Sequence, residues 1–80
     1  MFFVYIIYSD KLKKYYAGST NDVDKRLHRH NAGESAFTSR GCPWALITTF
    51  KLSTRAEAVR LEYKIKKRGI SRHLQDIGHK

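Results

Sequence analysis

The chain has 80 residues, 41% of them hydrophobic, which suits one small domain with its own core and leaves no room for a second. Its formal net charge of +9 at pH 7 is large for this length and favours an anionic partner, with nucleic acid as the first candidate. The single cysteine, Cys42, excludes an internal disulfide and favours a reducing compartment, so we predict a cytoplasmic protein.

The chain begins with an apolar run from Phe2 to Tyr8. Apolar residues occupy both alternations of this run, which predicts a central strand with helices covering both faces of the sheet. The run is short and no basic segment precedes it, so it is interpreted as a strand and not as a signal peptide or a membrane span.

A second aromatic run, from Tyr15 to Gly18, follows a polar break and predicts an antiparallel hairpin. With the turn centred on Asp10-Lys11, Tyr5 is expected opposite Tyr16, and both phenols are expected on the same face. The sequence therefore predicts two neighbouring tyrosines at the start of the fold.

The residues Thr20-Asn21-Asp22 supply an N-cap for a first helix that runs to about Ala32 and stops at Gly33. A helical projection places His30 near the apolar stripe and Arg26 at its edge, one turn apart on the side that meets the sheet. A histidine there is usually a hydrogen-bonded packing residue, whereas a buried guanidinium requires an anion.

A polar loop over residues 33–43 leads into a third strand from Trp44 to Leu52. A capping-box spacing at Thr54 opens a second helix that continues to Arg68, and a short last helix is predicted over residues 71–77. The predicted fold is a single α+β domain over residues 1–80, in the order β-β-α-β-α(-α), with a three-stranded antiparallel sheet and the first strand central.

Glu62 is the anomaly of the second helix, because it falls between two apolar groups in the middle of the arc expected to face the core. An unpaired buried carboxylate costs several kcal/mol, so a cation is expected beside it. That cation is Arg26 in an ion pair, a lysine, or a metal ion. The two apolar groups are Ala56, Val59 and Tyr63 on one side, and Ala58, Leu61 and Ile65 on the other.

These residues resemble the core of the GIY-YIG nuclease superfamily in its small stand-alone form. Tyr5 matches the end of the first triplet, Tyr16 begins the second triplet and Gly18 closes it. The similarity covers nearly the whole chain, through Lys25-Arg26, Arg29-His30, Phe37-Thr38-Ser39, Pro43-Trp44 and Glu62.

The sequence departs from the family pattern in three ways. Phe3-Val4 stand in place of Gly-Ile in the first triplet, and Ala17 replaces Ile in the second. Several family nucleases carry a functional asparagine after the glutamate-bearing helix, whereas the asparagines here are Asn21 and Asn31. The first two changes replace no reactive group, while the third removes one.

The resemblance implies an endonuclease that hydrolyses DNA phosphodiester bonds with Mg²⁺ or Mn²⁺. It implies that Tyr5 acts as the base or orients water, that Tyr16 bonds the phosphate or shares the proton, and that His30 orients or relays a proton. Arg26 would hold the scissile phosphate, and Glu62 would be the metal ligand, since Mg²⁺ often takes only one carboxylate.

The remaining basic residues are expected to form a non-specific DNA surface. The expected substrate is branched, flapped or otherwise distorted duplex DNA, as in repair or recombination, and a partner protein is a possible source of specificity. The alternative is a nucleic-acid-binding module that keeps the scaffold but cleaves poorly. An anionic membrane is disfavoured, because the C-terminal helix lacks a bulky apolar face. The expected DNA-contacting residues are Arg29, Arg40, Lys64, Lys66, Lys67, Arg68 and Arg72.

Overall fold

The computed structural model describes residues 1–36 and 38–78, so Phe37 of the family-like stretch lies outside the described residues. The elements follow the predicted order, with one short 3₁₀ turn added in the loop before the third strand. They are β1 (Phe2–Ser9), β2 (Lys14–Thr20), α1 (Val23–Asn31), the 3₁₀ turn (Ser39–Gly41), β3 (Trp44–Leu52), α2 (Arg55–Arg68) and α3 (Ile70–Asp76).

The three strands form one sheet in the order β2-β1-β3, and β1 pairs antiparallel with both neighbours. The predicted α+β architecture with a central first strand is therefore confirmed. β1 is central because its side chains are apolar on both alternations, so only a position covered on both faces buries them all. Val4, Tyr5, Ile6 and Ile7 are each 1% exposed or less.

The register of the hairpin differs from the prediction. Tyr5 pairs with Gly18, and Tyr16 pairs with Ile7, because the connection between the strands spans the four residues 10–13. The expected direct opposition of Tyr5 and Tyr16 is wrong. The shift is two residues, and side chains alternate with period two, so both tyrosines still project from the same face.

Local capping chemistry sets the helix boundaries. The side chain of Asp22 accepts a hydrogen bond from the backbone N–H of Lys25 and starts α1. At α2, Thr54 and Glu57 each bond the other's backbone N–H, forming the predicted capping box. The chain leaves α2 through Gly69, whose φ of +99° favours glycine.

The sheet separates two apolar clusters. On one face, Val4 and Ile6 of β1 pack with Ala58 and Ile65 of α2 and Leu74 of α3. On the other face, Tyr5, Ile7 and Trp44 pack against residues of α1 and β2, which are Tyr16, Val23 and Leu27. The candidate catalytic tyrosines thus belong to the face that α1 covers.

The packing of α2 corrects the prediction for one of its two apolar groups. Ala58 and Ile65 are fully buried, but Val59 is 49% exposed and Tyr63 is 68% exposed. A helix that packs on one face of a small sheet buries a single stripe of side chains. In α2 this stripe contains Ala58 and Ile65 but not Val59 and Tyr63. Glu62 consequently lies at the margin of the buried face and not in its middle.

Candidate active site

Tyr5 lies at one end of a buried hydrogen-bonded chain whose middle member is His30. Its hydroxyl lies 3.0 Å from Nε2 of His30, and Nδ1 of His30 lies 2.7 Å from Oγ1 of Thr38. All three side chains are buried, with 1%, 2% and 1% of their surfaces exposed. This hydrogen-bonded chain connects the central strand, the last turn of α1 and the loop that follows α1.

Thr38 is held from its backbone side as well. The indole Nε1 of Trp44 donates to the carbonyl oxygen of Thr38 over 2.8 Å, and Sγ of Cys42 donates to the carbonyl oxygen of His30 over the same distance. These contacts fix the loop against α1. Cys42 therefore has a packing role in the loop.

Tyr16 flanks the same histidine from the edge strand β2. Its ring meets the His30 ring edge-on, with centroids 5.4 Å apart, and the Tyr5 and His30 centroids are 5.8 Å apart. The structure thus brings both predicted tyrosines to His30. Tyr16 is half-buried, whereas Tyr5 is almost fully enclosed.

Burial controls the protonation of this chain. Burial raises the pKa of Tyr5 to about 12, opposed by the charge of Arg26 and reinforced by Tyr16 and Glu62. Burial also lowers the pKa of His30 from its usual 6.5, and Arg26 lowers it further. At neutral pH the phenol is therefore protonated and the imidazole is neutral.

Arg26 borders two neighbouring hollows on the surface. One has a volume of about 210 Å³ and is lined by Arg26, Arg29, His30, Glu34 and Ser35. The other, about 170 Å³, includes Arg26 together with Arg55 and residues of β2. The guanidinium that sequence analysis placed at the sheet margin therefore adjoins both His30 and open solvent.

Glu62 is paired, but not with Arg26. Its Oε2 lies 2.6 Å from Nζ of Lys66, one turn further along α2, and the same ammonium lies 5.6 Å from the ring centroid of Tyr16. Of the three cations considered for Glu62, which were Arg26, a lysine and a metal ion, the described residues place a lysine at the carboxylate. The charge of Glu62 nevertheless acts on Tyr5, so the carboxylate belongs to the same constellation.

The predicted DNA-contacting residues are all exposed, but two of them are already paired. Arg68 donates from Nε and Nη2 to the Asp76 carboxylate over 2.8 and 3.1 Å, and Lys66 binds Glu62. Within residues 1–36 and 38–78, no ion pair involves the other five, which are Arg29, Arg40, Lys64, Lys67 and Arg72.

Sequence reasoning missed two members of the constellation. Thr38 lies in the family-like stretch Phe37-Thr38-Ser39, but no local pattern reveals that its hydroxyl reaches His30. Lys66 is predicted as a DNA-surface residue alone, although its i,i+4 spacing from Glu62 is a visible signal for an ion pair. The described part of the chain contains no group of three or more His, Cys, Asp or Glu residues able to hold a metal ion.

None of the helices in the described ranges has the length and apolar character to cross a bilayer. Residues 1–79 match the family profile described as GIY-YIG catalytic domain. The UPF0213 protein BH0048 of Halalkalibacterium halodurans is 38% identical over 65 residues, covering 80% of this chain and 68% of that protein. A UPF0213 protein of Halobacterium salinarum is 45% identical over 53 residues, covering 65% of this chain and 69% of its own length.

A third relative, the UPF0213 protein YazA of Bacillus subtilis, is 41% identical over 66 residues, which cover 81% of this chain and 66% of YazA. The fold is similar to the solution NMR structure of the UPF0213 protein BH0048 from Bacillus halodurans. The TM-score is 0.59 at 32% identity, covering 98% of this chain and 84% of that one. The UPF0213 designation states no specific function, whereas a GIY-YIG domain indicates nuclease activity in general. The chain belongs to the GIY-YIG family.

Proposed function

We propose that the chain is a divalent-metal-dependent endonuclease that hydrolyses phosphodiester bonds in DNA. The observation that supports this most directly is the buried Tyr5–His30–Thr38 chain, beside one half-buried arginine and one paired carboxylate. Phosphodiester hydrolysis needs an activated water, a clamp for the phosphate and relief of the negative charge that develops in the transition state. The constellation supplies a candidate for each requirement.

The base in this proposal is the Tyr5–His30 pair and not Tyr5 alone. A phenol with a pKa of about 12 carries too little phenolate at neutral pH to act by itself. Tyr5 takes a proton from the attacking water while it passes its own proton to Nε2 of His30, 3.0 Å away. In the matching tautomer, Nδ1–H donates to Thr38, which holds the ring in register.

Arg26 is proposed to bind the scissile phosphate. Its planar guanidinium offers paired donors that match two phosphate oxygens, and it borders the hollow next to His30. Tyr16, on the other side of His30, is proposed to donate its phenolic hydrogen to the same phosphate. The scissile phosphate would then lie between Arg26 and Tyr16, next to the general base formed by Tyr5 and His30.

Glu62 is proposed as the protein ligand of Mg²⁺ or Mn²⁺. The fit rests on the ammonium of Lys66, which already stands at this carboxylate as a cation 2.6 Å away. A hard divalent ion needs only one or two carboxylates when water and phosphate oxygens complete its shell. When bound there, the metal supplies charge neutralisation at the phosphate and at the leaving oxygen.

The substrate is proposed to be DNA, with branched, flapped or distorted duplex preferred. Support comes from the net charge of +9 and from the exposed arginines and lysines around the site. Repair or recombination in the cytoplasm is the corresponding biological setting. A binding module without efficient cleavage is the second candidate, favoured by the missing late asparagine.

A nicking assay over a Mg²⁺ titration, on branched, flapped and linear DNA, tests the proposal. We expect metal-dependent cleavage by the wild type and none by Glu62→Gln. Asp10→Asn is the matched control, because Asp10 also forms a lysine ion pair, at 2.7 Å with Lys13, far from any proposed role. The control is expected to cut like the wild type.

Stability separates a lost ligand from a lost fold. Because its partner Lys66 is 46% exposed, Glu62→Gln should cost no more than about 1 kcal/mol of unfolding free energy. Salt-sensitive DNA binding by the wild type, without cleavage under Mg²⁺ or Mn²⁺, would instead establish the binding module. Full activity of Glu62→Gln would refute the metal assignment.

A further inference from the structure

We infer that Lys66 is a positioning residue that keeps the Glu62 carboxylate closed to metal until DNA draws the ammonium away. The inference rests on the proposed nuclease function and deepens it, since it says how metal and substrate are coupled at this site. The sequence pattern predicts for Lys66 only a share in a non-specific DNA surface. The structure gives it a specific place between two proposed catalytic groups.

The geometry places one ammonium group against two partners at once. Nζ of Lys66 is 2.6 Å from Oε2 of Glu62 and 5.6 Å from the centroid of the Tyr16 ring. An ion pair and a cation–π contact therefore hold the same atom from different elements, α2 and β2. A solvated surface lysine has no comparable constraint, so the position of this ammonium is set by the site.

A comparison within the chain shows that this pair is not an ordinary surface salt bridge. In the Lys13–Asp10 pair the side chains are 71% and 88% exposed. In the Lys66–Glu62 pair the lysine side chain is 46% exposed, but the glutamate side chain is only 21% exposed. The carboxylate is thus the more enclosed partner, whereas the ammonium keeps access to solvent and can leave.

Metal and lysine must compete for this carboxylate. A divalent cation at Glu62 would repel the ammonium of Lys66. The described residues contain no cluster of three His, Cys, Asp or Glu side chains that could offset this repulsion. A DNA phosphate offers the displaced ammonium a new anionic partner. Metal binding is therefore expected to be weak in the free protein and stronger in the presence of DNA. By thermodynamic linkage, bound metal should raise the affinity for DNA by the same factor.

The first test is Mn²⁺ binding to the free protein, measured by electron paramagnetic resonance and located by paramagnetic broadening of the Glu62 and Tyr16 amide signals. Lys66→Met should raise Mn²⁺ affinity about tenfold, because it removes a charge in contact with the ligand. Lys66→Arg should keep the wild-type affinity. Lys64→Met is the matched control, with the same charge change at an exposed lysine, and should change the affinity by about twofold or less.

The outcomes separate this inference from the proposed function. Equal Mn²⁺ affinities of Lys66→Met and Lys64→Met, with binding still lost in Glu62→Gln, would overturn the role of Lys66 and leave the nuclease proposal standing. Unchanged Mn²⁺ binding by Glu62→Gln would overturn both. Thermal melts are the folding control. Because the Lys66 side chain is 46% exposed, we expect the three lysine variants to melt within a few degrees of the wild type.

Discussion

Replacing Gly18 with alanine should disrupt the candidate active site, because the added methyl group clashes with the ring of Tyr5. Gly18 faces Tyr5 across the β1–β2 ladder. A Cβ atom at position 18 would lie 2.7 Å from Cζ of Tyr5 and closer still to its hydroxyl oxygen, well inside van der Waals contact. Tyr5 is 1% exposed and cannot swing aside, so either its ring must leave His30 or the two strands must separate.

The expected cost follows from the size of this clash. Overpacking of a closed core by one methyl group typically costs about 1–3 kcal/mol. Loss of the Tyr5–His30 hydrogen bond adds about 1 kcal/mol. For a domain of this size each kcal/mol lowers Tm by about 4–8 °C, so Gly18→Ala should melt at least that much below the wild type.

A double-mutant cycle checks the cause. Tyr5→Phe removes the atom nearest to the new methyl group, so Gly18→Ala should cost less in the Tyr5→Phe background than in the wild type. Urea unfolding of the four proteins measures both differences. Equal costs in the two backgrounds, or no cost in the wild type, would show that Gly18 is not required by the approach of Tyr5.

Acid should destabilise the fold through His30. Because the folded-state pKa of His30 lies below 6.5, the contribution of the neutral imidazole to the free energy of unfolding is complete above pH 6.5 and is lost as pH falls. The difference in unfolding free energy between the wild type and His30→Gln should therefore become smaller from pH 7.5 to pH 5. A constant gap would argue against a buried neutral imidazole. In an ultraviolet titration, Tyr5 should ionise near pH 12, and Tyr5→Phe should lack that phase. The stability associated with the neutral Tyr5 phenol is present below pH 10 and is lost as pH rises through 12. Charge reversal at Lys64 and Lys67 should weaken DNA binding about equally for all sequences and flatten its salt dependence, and wild-type binding by that double variant would place the DNA surface elsewhere.

Local chemistry made the helix boundaries predictable from sequence. The capping box at Thr54 and Glu57 and the stop at Gly69 depend on neighbours a few residues apart, and the structure confirms them. The pairing of Tyr5 depended on the length of the turn, and a four-residue connection shifted it by two positions. A shift of two residues leaves each side chain on the same face of the sheet, so the shared face of Tyr5 and Tyr16 was predictable although their register was not.

The environment of Glu62 was harder to predict, because a helical projection shows which residues share a face but not which face is covered. Two apolar groups on α2 competed for the sheet, and the group containing Tyr63 stayed in solvent. A cation beside Glu62 was expected from the sequence, and the structure shows that it is Lys66, one helical turn further along α2. Thr38 reaches His30 through the path of a loop, for which the sequence carries no periodic signal.

The contact between Asn31 and Trp44 bears on how this small sheet avoids self-association. The Asn31 side chain accepts from the backbone N–H of Trp44 and donates to its carbonyl oxygen over 3.2 Å, so the amide imitates one residue of a neighbouring strand. Since β3 pairs with β1 on one side only, these groups lie on its free edge. A backbone edge that is already hydrogen-bonded cannot template another chain, and the start of β3 is closed to edge-to-edge aggregation by a single residue of the preceding helix.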